Sequence, residues 1–129
     1  ALEKAGLTAG DIAHVNAHAT STPEGDRAEL QAIATIFGDG AGKVTVTANK
    51  SMIGHTLGAA GAIEAIVTIQ SIRESCVPPT INLVDPDDAA AGLDIVSGQA
   101  RSQDIEIALS NSFGFGGQNT ALIFRRWRE

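Results

Sequence analysis

Twice along this chain a short run of β-type residues passes through a histidine-bearing loop into a segment of helical periodicity. The first run is Ile12 to Ala17, with Val15 and Ala17 on one face and His14 and Asn16 on the other; the second is Val44 to Ala48, alternating Val and Thr. A helix is expected over roughly Asp26 to Phe37, where Leu30, Ile33, Ala34 and Phe37 share one stripe, and a longer one over roughly Leu57 to Glu74. Asp94 to Val96 offers a short strand. Ile105 to Leu109, a glycine-rich loop over Ser110 to Gly117 and a strand over Asn119 to Phe124 close the chain as a hairpin. Strands and helices in this alternation imply an α/β fold, with helices packed on a mainly parallel sheet.

The segment from Leu57 to Glu74 is apolar on almost every side and is therefore expected to be buried, with Gly58 and Gly61 permitting close backbone approach near its start. Asn49 to Thr56 reads as a loop. Val77 to Asp88 holds Pro78, Pro79 and Pro86 and is expected to be irregular or extended. Ala1 to Leu7 reads as the last turns of a helix stopped by Gly6, which suggests a protein that continues upstream, and Arg125 to Glu129 is a charged tail.

Composition removes several classes of function. At 129 residues and 43% hydrophobic, the chain suffices for one globular domain. A net charge of -6 argues against a nucleic-acid partner held through phosphates. The single cysteine, Cys76, cannot form an internal disulfide, and no basic cluster surrounds it to activate the thiol. Ala1 to Asp11 lacks the apolar core of a signal peptide. The most apolar stretch, Leu57 to Ile72, contains Glu64 and Gln70 and is short for a membrane span, so a soluble cytoplasmic protein without a membrane partner is expected.

Functional groups of an open parallel sheet gather beyond the carboxyl ends of its strands. Three loops leave strands at that edge. One carries His18, Thr20 and Thr22; another carries Lys50 and His55; the third carries Phe113 and Phe115 among glycines. A histidine after a strand is often only a hydrogen-bonded structural residue; what raises His18 and His55 as candidates is their shared edge. His14, inside its strand, reads as structural. No CxxC or HExxH pattern is present, and no metal site is expected. The aromatic–glycine loop is either a movable wall over a cavity or an ordinary tight hairpin. Glu64, central in a helix expected to be buried, needs a partner, for which Lys50 is the candidate.

The motifs carry a resemblance. Val15-Asn16-Ala17-His18-Ala19-Thr20-Ser21-Thr22-Pro23-Glu24-Gly25-Asp26 resembles the first histidine motif of the β-ketoacyl synthases, and Lys50-Ser51-Met52-Ile53-Gly54-His55-Thr56-Leu57-Gly58-Ala59-Ala60-Gly61 the second. Asn111-Ser112-Phe113-Gly114-Phe115-Gly116-Gly117-Gln118-Asn119 resembles the family's glycine-rich loop, and Pro78 to Asn82 also matches. The similarity is closest to the synthase II type. It implies a thiolase-like fold, a homodimer, and decarboxylative Claisen condensation of malonyl-acyl carrier protein with an acyl-enzyme thioester in fatty acid biosynthesis. No cofactor is implied beyond the phosphopantetheine arm of acyl carrier protein, the partner that delivers both acyl and malonyl groups.

By position, the resemblance makes His18 and His55 the pair that holds the malonyl thioester oxygen, where loss of carbon dioxide develops negative charge. Lys50 is implied beside the second histidine, with Glu64 and Asp26 in the supporting network. Thr20 and Thr22 are implied as hydroxyls for the pantetheine arm. Phe115 is implied as gate and oxyanion-hole residue, within the loop formed by Phe113, Gly114, Gly116 and Gly117. Ala19 stands where many members have glycine. Cys76 is in the wrong context for the family's nucleophile. Residues 1–129 are therefore expected to be the C-terminal part of a synthase, without its N-terminal half and without the first strand of this half, whose absence from mid-sheet would leave a gap. Rival readings are a non-catalytic chain-length factor, which often lacks the histidines, and a polyketide ketosynthase. A thiolase would carry a second cysteine near the last loop, and a synthase III would pair histidine with asparagine.

Overall fold

In the computed structural model, residues 1–128 are described, and of the predicted charged tail only Glu129 lies outside them. Short helix α1 (Leu2–Ala5) ends at Gly6 in the left-handed region, as its sequence implies. Strand β1 (His14–Asn16) leads to helix α2 (Pro23–Phe37), and β2 (Thr45–Thr47) leads to short helix α3 (Lys50–Ile53) and long helix α4 (Ala60–Glu74). Strands β3 (Cys76–Val77), β4 (Asp94–Ile95), β5 (Arg101–Ser102), β6 (Ile107–Gly114) and β7 (Gln118–Arg125) follow.

The main sheet runs β4-β2-β1-β6-β7. β4, β2, β1 and β6 are mutually parallel, and β7 turns back antiparallel to β6. The carboxyl ends of β1, β2 and β6 therefore share one edge. β1 is the middle strand and pairs directly with β2 and β6, so the expected mid-sheet gap is not there, and no upstream strand is needed between them. That expectation put an upstream strand in the middle of the sheet, a place that β1 itself holds.

Strand alternation gives the sheet two unlike faces. Val15, Val46, Ile107 and Leu109 form an apolar face that packs on Ile33, with Phe37 at its margin. The opposite face is polar where α4 crosses it: His14 Nε2 meets Thr47 Oγ1 at 2.8 Å, and Asn16 Nδ2 donates to the Glu64 carbonyl and to Thr68 Oγ1, both at 3.2 Å. A second apolar cluster of Ile72, Val77, Val96, Ile105 and Ala108 closes this face at the far end of α4.

Several boundaries differ from expectation. α2 begins at Pro23 rather than Asp26, because proline is well suited to the first helical turn and Thr22 precedes it in extended conformation. Lys50 opens a one-turn helix where a loop was expected. A 3-10 turn over Leu57–Ala59 precedes α4. α4 is not buried all round: its inward stripe is Ala60, Glu64, Thr68, Ser71 and Ile72, while Ile66 and Ile69 are exposed. The polar stripe faces the sheet because it meets the polar face of β1 and β2. Gly61 lies close to β6, where an added Cβ would sit 3.1 Å from Ser112 Oγ, whereas Gly58 faces open space. The expected glycine-rich loop is mostly strand: β6 runs on to Gly114, and a tight turn with left-handed Gly116 and Gly117 leads into β7. The proline segment is pinned by two short pairings that the sequence reading did not foresee, β3 with β5 and the bridge Thr80 to Ser97.

Candidate active site

His18 and His55 converge at the shared strand edge. Their ring centroids are 5.5 Å apart and the planes cross at 89°. His18 leaves β1 two residues past its end, while His55 follows the left-handed Gly54 that ends α3. Phe113, on β6, also lies against His18, at a centroid distance of 5.5 Å. Residues from β1, β2 and β6 thus meet in one cluster.

The Nδ1 atom of each ring is occupied. The backbone N–H of Leu57 donates to His55 Nδ1 at 3.2 Å. Lys50 Nζ lies 3.3 Å from His18 Nδ1, donates to the His18 carbonyl at 2.6 Å, and forms an ion pair with Glu64. An ammonium has three N–H groups, and these three partners use all of them. With Nδ1 accepting in both rings, the proton of each neutral imidazole sits on Nε2, which is left free to donate. His18 is held neutral: burial, then the Lys50 charge and His55, depress its pKa to about 4.

Lys50 and Glu64 are buried. Burial pushes the Glu64 carboxyl upward, and the Lys50 hydrogen bond and charge pull it back, with a net upward direction. Such a pair is justified less by stability than by what it holds. Here it fixes His18 through two of its atoms.

The other expected site residues are dispersed. Thr20 and Thr22 join their hydroxyls at 3.0 Å on the exposed rim of the His18 loop. Asp26 does not touch the Lys50–Glu64 pair; it accepts the Ser21 N–H at 3.1 Å and so shapes the same loop from α2. Phe115 is fully exposed at the hairpin tip between Gly114 and Gly116, and it is Phe113 that touches His18. Cys76 lies beyond the far end of α4, about 15 Å along the helix from Glu64. His14 is wholly buried in the sheet, and burial lowers its pKa to about 4.

One residue escaped the sequence reading. Glu29, buried on α2, accepts the backbone N–H of His18 at 2.9 Å and of Ala19 at 2.8 Å, and the Asn111 side-chain amide at 3.0 Å. The available signal was a carboxylate one helical turn before Ile33, on the stripe that continues to Phe37. The loop that it holds is strained, since Ala19 and Ser21 adopt φ of 36° and 63°.

A cavity of about 680 Å³ lies between α2, the ends of β1 and β2, and residues 80–90, but neither histidine lines it. His55 is exposed, as are its chain neighbours Met52, Ile53 and Leu57.

The family model described as "Beta-ketoacyl synthase, C-terminal domain" matches residues 1–84. The chain is 50% identical over 127 residues to 3-oxoacyl-(acyl-carrier-protein) synthase 2 of Rhizobium meliloti, covering 98% of this chain and 30% of that protein. It is 50% identical over 128 residues to the protein of that name from Vibrio cholerae, covering 98% and 31%. Among solved structures, a β-ketoacyl synthase from Burkholderia phymatum matches with a TM-score of 0.92 and 52% identity, over 99% of this chain and 31% of that one. A type II polyketide ketosynthase solved with its acyl-carrier protein and a hexaketide matches with a TM-score of 0.94 and 34% identity, over 99% and 31%. These neighbours have the thiolase-like α/β fold expected of the sequence. The chain spans about 30% of the length of the curated relatives that it matches.

Proposed function

From the premise that this chain belongs to the β-ketoacyl synthase family, we propose that it supplies the malonyl-decarboxylating part of a 3-oxoacyl-acyl carrier protein synthase of the synthase II type. The observation that carries the reading is the crossed pair His18 and His55, each with Nδ1 occupied and Nε2 free to donate.

In the proposed step a malonyl thioester carbonyl oxygen receives both Nε2–H donors. The bond between the malonyl carboxylate and its α-carbon breaks, carbon dioxide leaves, and the electron pair passes into an enolate whose oxygen the donors stabilise. Removing one such donor typically costs about 100- to 1000-fold in rate. The enolate carbon then attacks the carbonyl of an acyl thioester on a cysteine outside these residues: a carbon–carbon bond forms, the carbon–sulfur bond breaks, and the cysteine leaves as thiolate. A neutral His18 suits this role, since a neutral Nε2–H can stabilise charge without giving its proton away.

Thr20 and Thr22 are assigned to the pantetheine arm, supported by their paired hydroxyls on the rim beside His18. Phe115 is assigned as gate and its N–H as oxyanion donor, supported by its exposed place at the tip of a glycine hairpin near Phe113. Acyl carrier protein as partner, a homodimer and a cytoplasmic location belong to the same reading; family membership supports them, and no helix among the described residues is long and apolar enough to cross a membrane. Residues 1–129 are read as part of the C-terminal domain of a longer synthase. The exposure of Ile66, Ile69 and Leu57 beside the site supports this, because the rest of such a protein would cover them. Both histidines favour the enzyme over a chain-length factor.

The test is malonyl-acyl carrier protein decarboxylation by the full-length protein. His18→Ala and His55→Ala should each reduce it by about 100-fold or more. Decarboxylation within threefold of wild type in both variants would refute the assignment.

A further inference from the structure

We infer that the layer between α4 and the sheet is a binding site for an internal water held by Glu64, Asn16 and Ser110, and that Ser110 is thereby a positioning residue for Lys50 and His18; the positioning role rests on the function proposed above. Among the described residues, Asn16 Oδ1, Ser110 Oγ and Glu64 Oε2 are buried atoms with no hydrogen-bond partner. Buried polar groups are seldom left so, and where protein does not satisfy them ordered water does.

The three groups are neighbours. Asn16 and Ser110 are paired residues of adjacent parallel strands, so their side chains leave the sheet on the same face. Asn16 Nδ2 donates to the Glu64 carbonyl and to Thr68 Oγ1, which sets that turn of α4 over the pair. One turn earlier, Gly61 lies against Ser112, two residues beyond Ser110. α4 therefore runs back along β6 and brings Glu64 toward Ser110. The layer is closed by residues 1–128 themselves: Asn16 and Glu64 are 0% exposed and Ser110 is 2% exposed. Further chain packed outside would not reach these atoms. The facing side chains are short, Ala108 and Ser110 from β6 against Ala60 and Thr68 from α4, and the room between them suits water.

The hydrogen-bonding capacities match a single water. Asn16 Oδ1 and Glu64 Oε2 accept, and the Ser110 hydroxyl can donate. Water donates to the two acceptors and accepts from the serine, about the number of bonds a buried water makes. A cation would also suit three oxygens, but the Lys50 ammonium already sits on the other oxygen of Glu64 and repels a second positive charge. Burial is the main influence against an ionised Glu64, and Glu29 adds to it, while the hydrogen bond and charge of Lys50, and His55, favour ionisation. A water donating to Oε2 joins the favourable side. An ionised Glu64 keeps Lys50 an ammonium, whose N–H groups hold the His18 carbonyl and Nδ1. Ser110 orients the water by giving it a proton, which turns the water's own O–H groups toward Asn16 and Glu64.

The experiment combines high-resolution crystal structures of the full-length wild type, Ser110→Val and Ser110→Ala with the pH profile of malonyl-acyl carrier protein decarboxylation for each. Wild type should hold a water at about 3 Å from Glu64 Oε2, Asn16 Oδ1 and Ser110 Oγ. Valine fills the space and expels the water; alanine removes the donor and leaves the room. The acid limb of decarboxylation should rise by about one pH unit in Ser110→Val and by about half as much in Ser110→Ala. A dry layer in wild type, or a cation or a protein donor on Oε2, overturns the site. An unmoved acid limb in Ser110→Val, an even loss of rate at every pH, or a larger shift with alanine than with valine overturns the positioning role. His18→Ala is the control: unchanged decarboxylation there removes the functional reading and the positioning role with it, while the crystal structure still decides the water. If Ser110→Val does not fold, Ser110→Ala decides, since an upward shift of the limb supports the role and an unmoved limb overturns it.

Discussion

Replacing Lys50 by Met keeps the length of the buried stem and removes its charge. The change leaves Glu64, wholly buried, without its ion-pair partner, and strips a donor from the His18 carbonyl and Nδ1. Removing one member of a buried pair costs about 3–5 kcal/mol, and the orphaned carbonyl adds about 1 kcal/mol. The loss should depend on pH. Burial already raises the Glu64 pKa, and Lys50 is the chief influence pulling it down, so the variant carries a still higher one. A group whose pKa is raised on folding stabilises the fold at low pH and loses that contribution as pH rises through the folded value. The deficit of Lys50→Met should therefore be full at pH 8, at about 4–6 kcal/mol, and fall by half or more near pH 5. Urea unfolding of both full-length proteins across that range measures it, taking the difference so that other titrations cancel. Adding Glu64→Leu should bring stability back to within about 1 kcal/mol while leaving decarboxylation impaired, because apolar replacements for a buried pair are often neutral. A deficit below about 1 kcal/mol at pH 8, or one that does not change with pH, would refute the reasoning.

Other consequences follow from the same geometry. His14 is buried with a pKa near 4 against an ordinary 6.5, so the fold keeps its full contribution above about pH 6.5 and loses it as pH falls toward 4, by up to about 3 kcal/mol; His14→Gln should flatten that part of the stability profile. His18 should remain neutral with its proton on Nε2 down to about pH 5, read from imidazole nitrogen shifts by NMR, and an Nδ1–H form would contradict the Lys50 contact. Gly61→Val should lower stability by about 1–3 kcal/mol through collision with Ser112, whereas Gly58→Val, facing open space, should be far milder when both are measured by thermal unfolding.

The fold was legible where local pattern and tertiary packing agree. Val15 and Val46 alternate with polar neighbours, and that alternation became the two faces of one sheet. Lys50, Glu64 and the two loop histidines were found because a buried charge demands a partner and because their motifs are dense. The burial of α4 was misread for the opposite reason. Its abundant isoleucines drew attention from Glu64, Thr68 and Ser71, whose spacing of four and three residues was the true inward stripe. Which part of the site Asp26 supports was not legible, since a position on a helix does not say which loop it faces; it holds the His18 loop through Ser21. Glu29 was not legible because one of its partners, Asn111, is far away in sequence, and no local window joins the two. The expected mid-sheet gap failed because strand order is a property of all five strands together.

The central claim is that two imidazoles, each with Nδ1 already engaged, aim Nε2–H donors at one thioester oxygen. A crystal structure of the full-length protein with a non-decarboxylating malonyl-thioester analogue tests it most directly. The account predicts the thioester oxygen at about 2.7–3.1 Å from Nε2 of both His18 and His55. An analogue seated with that oxygen beyond hydrogen-bond reach of either ring would contradict it.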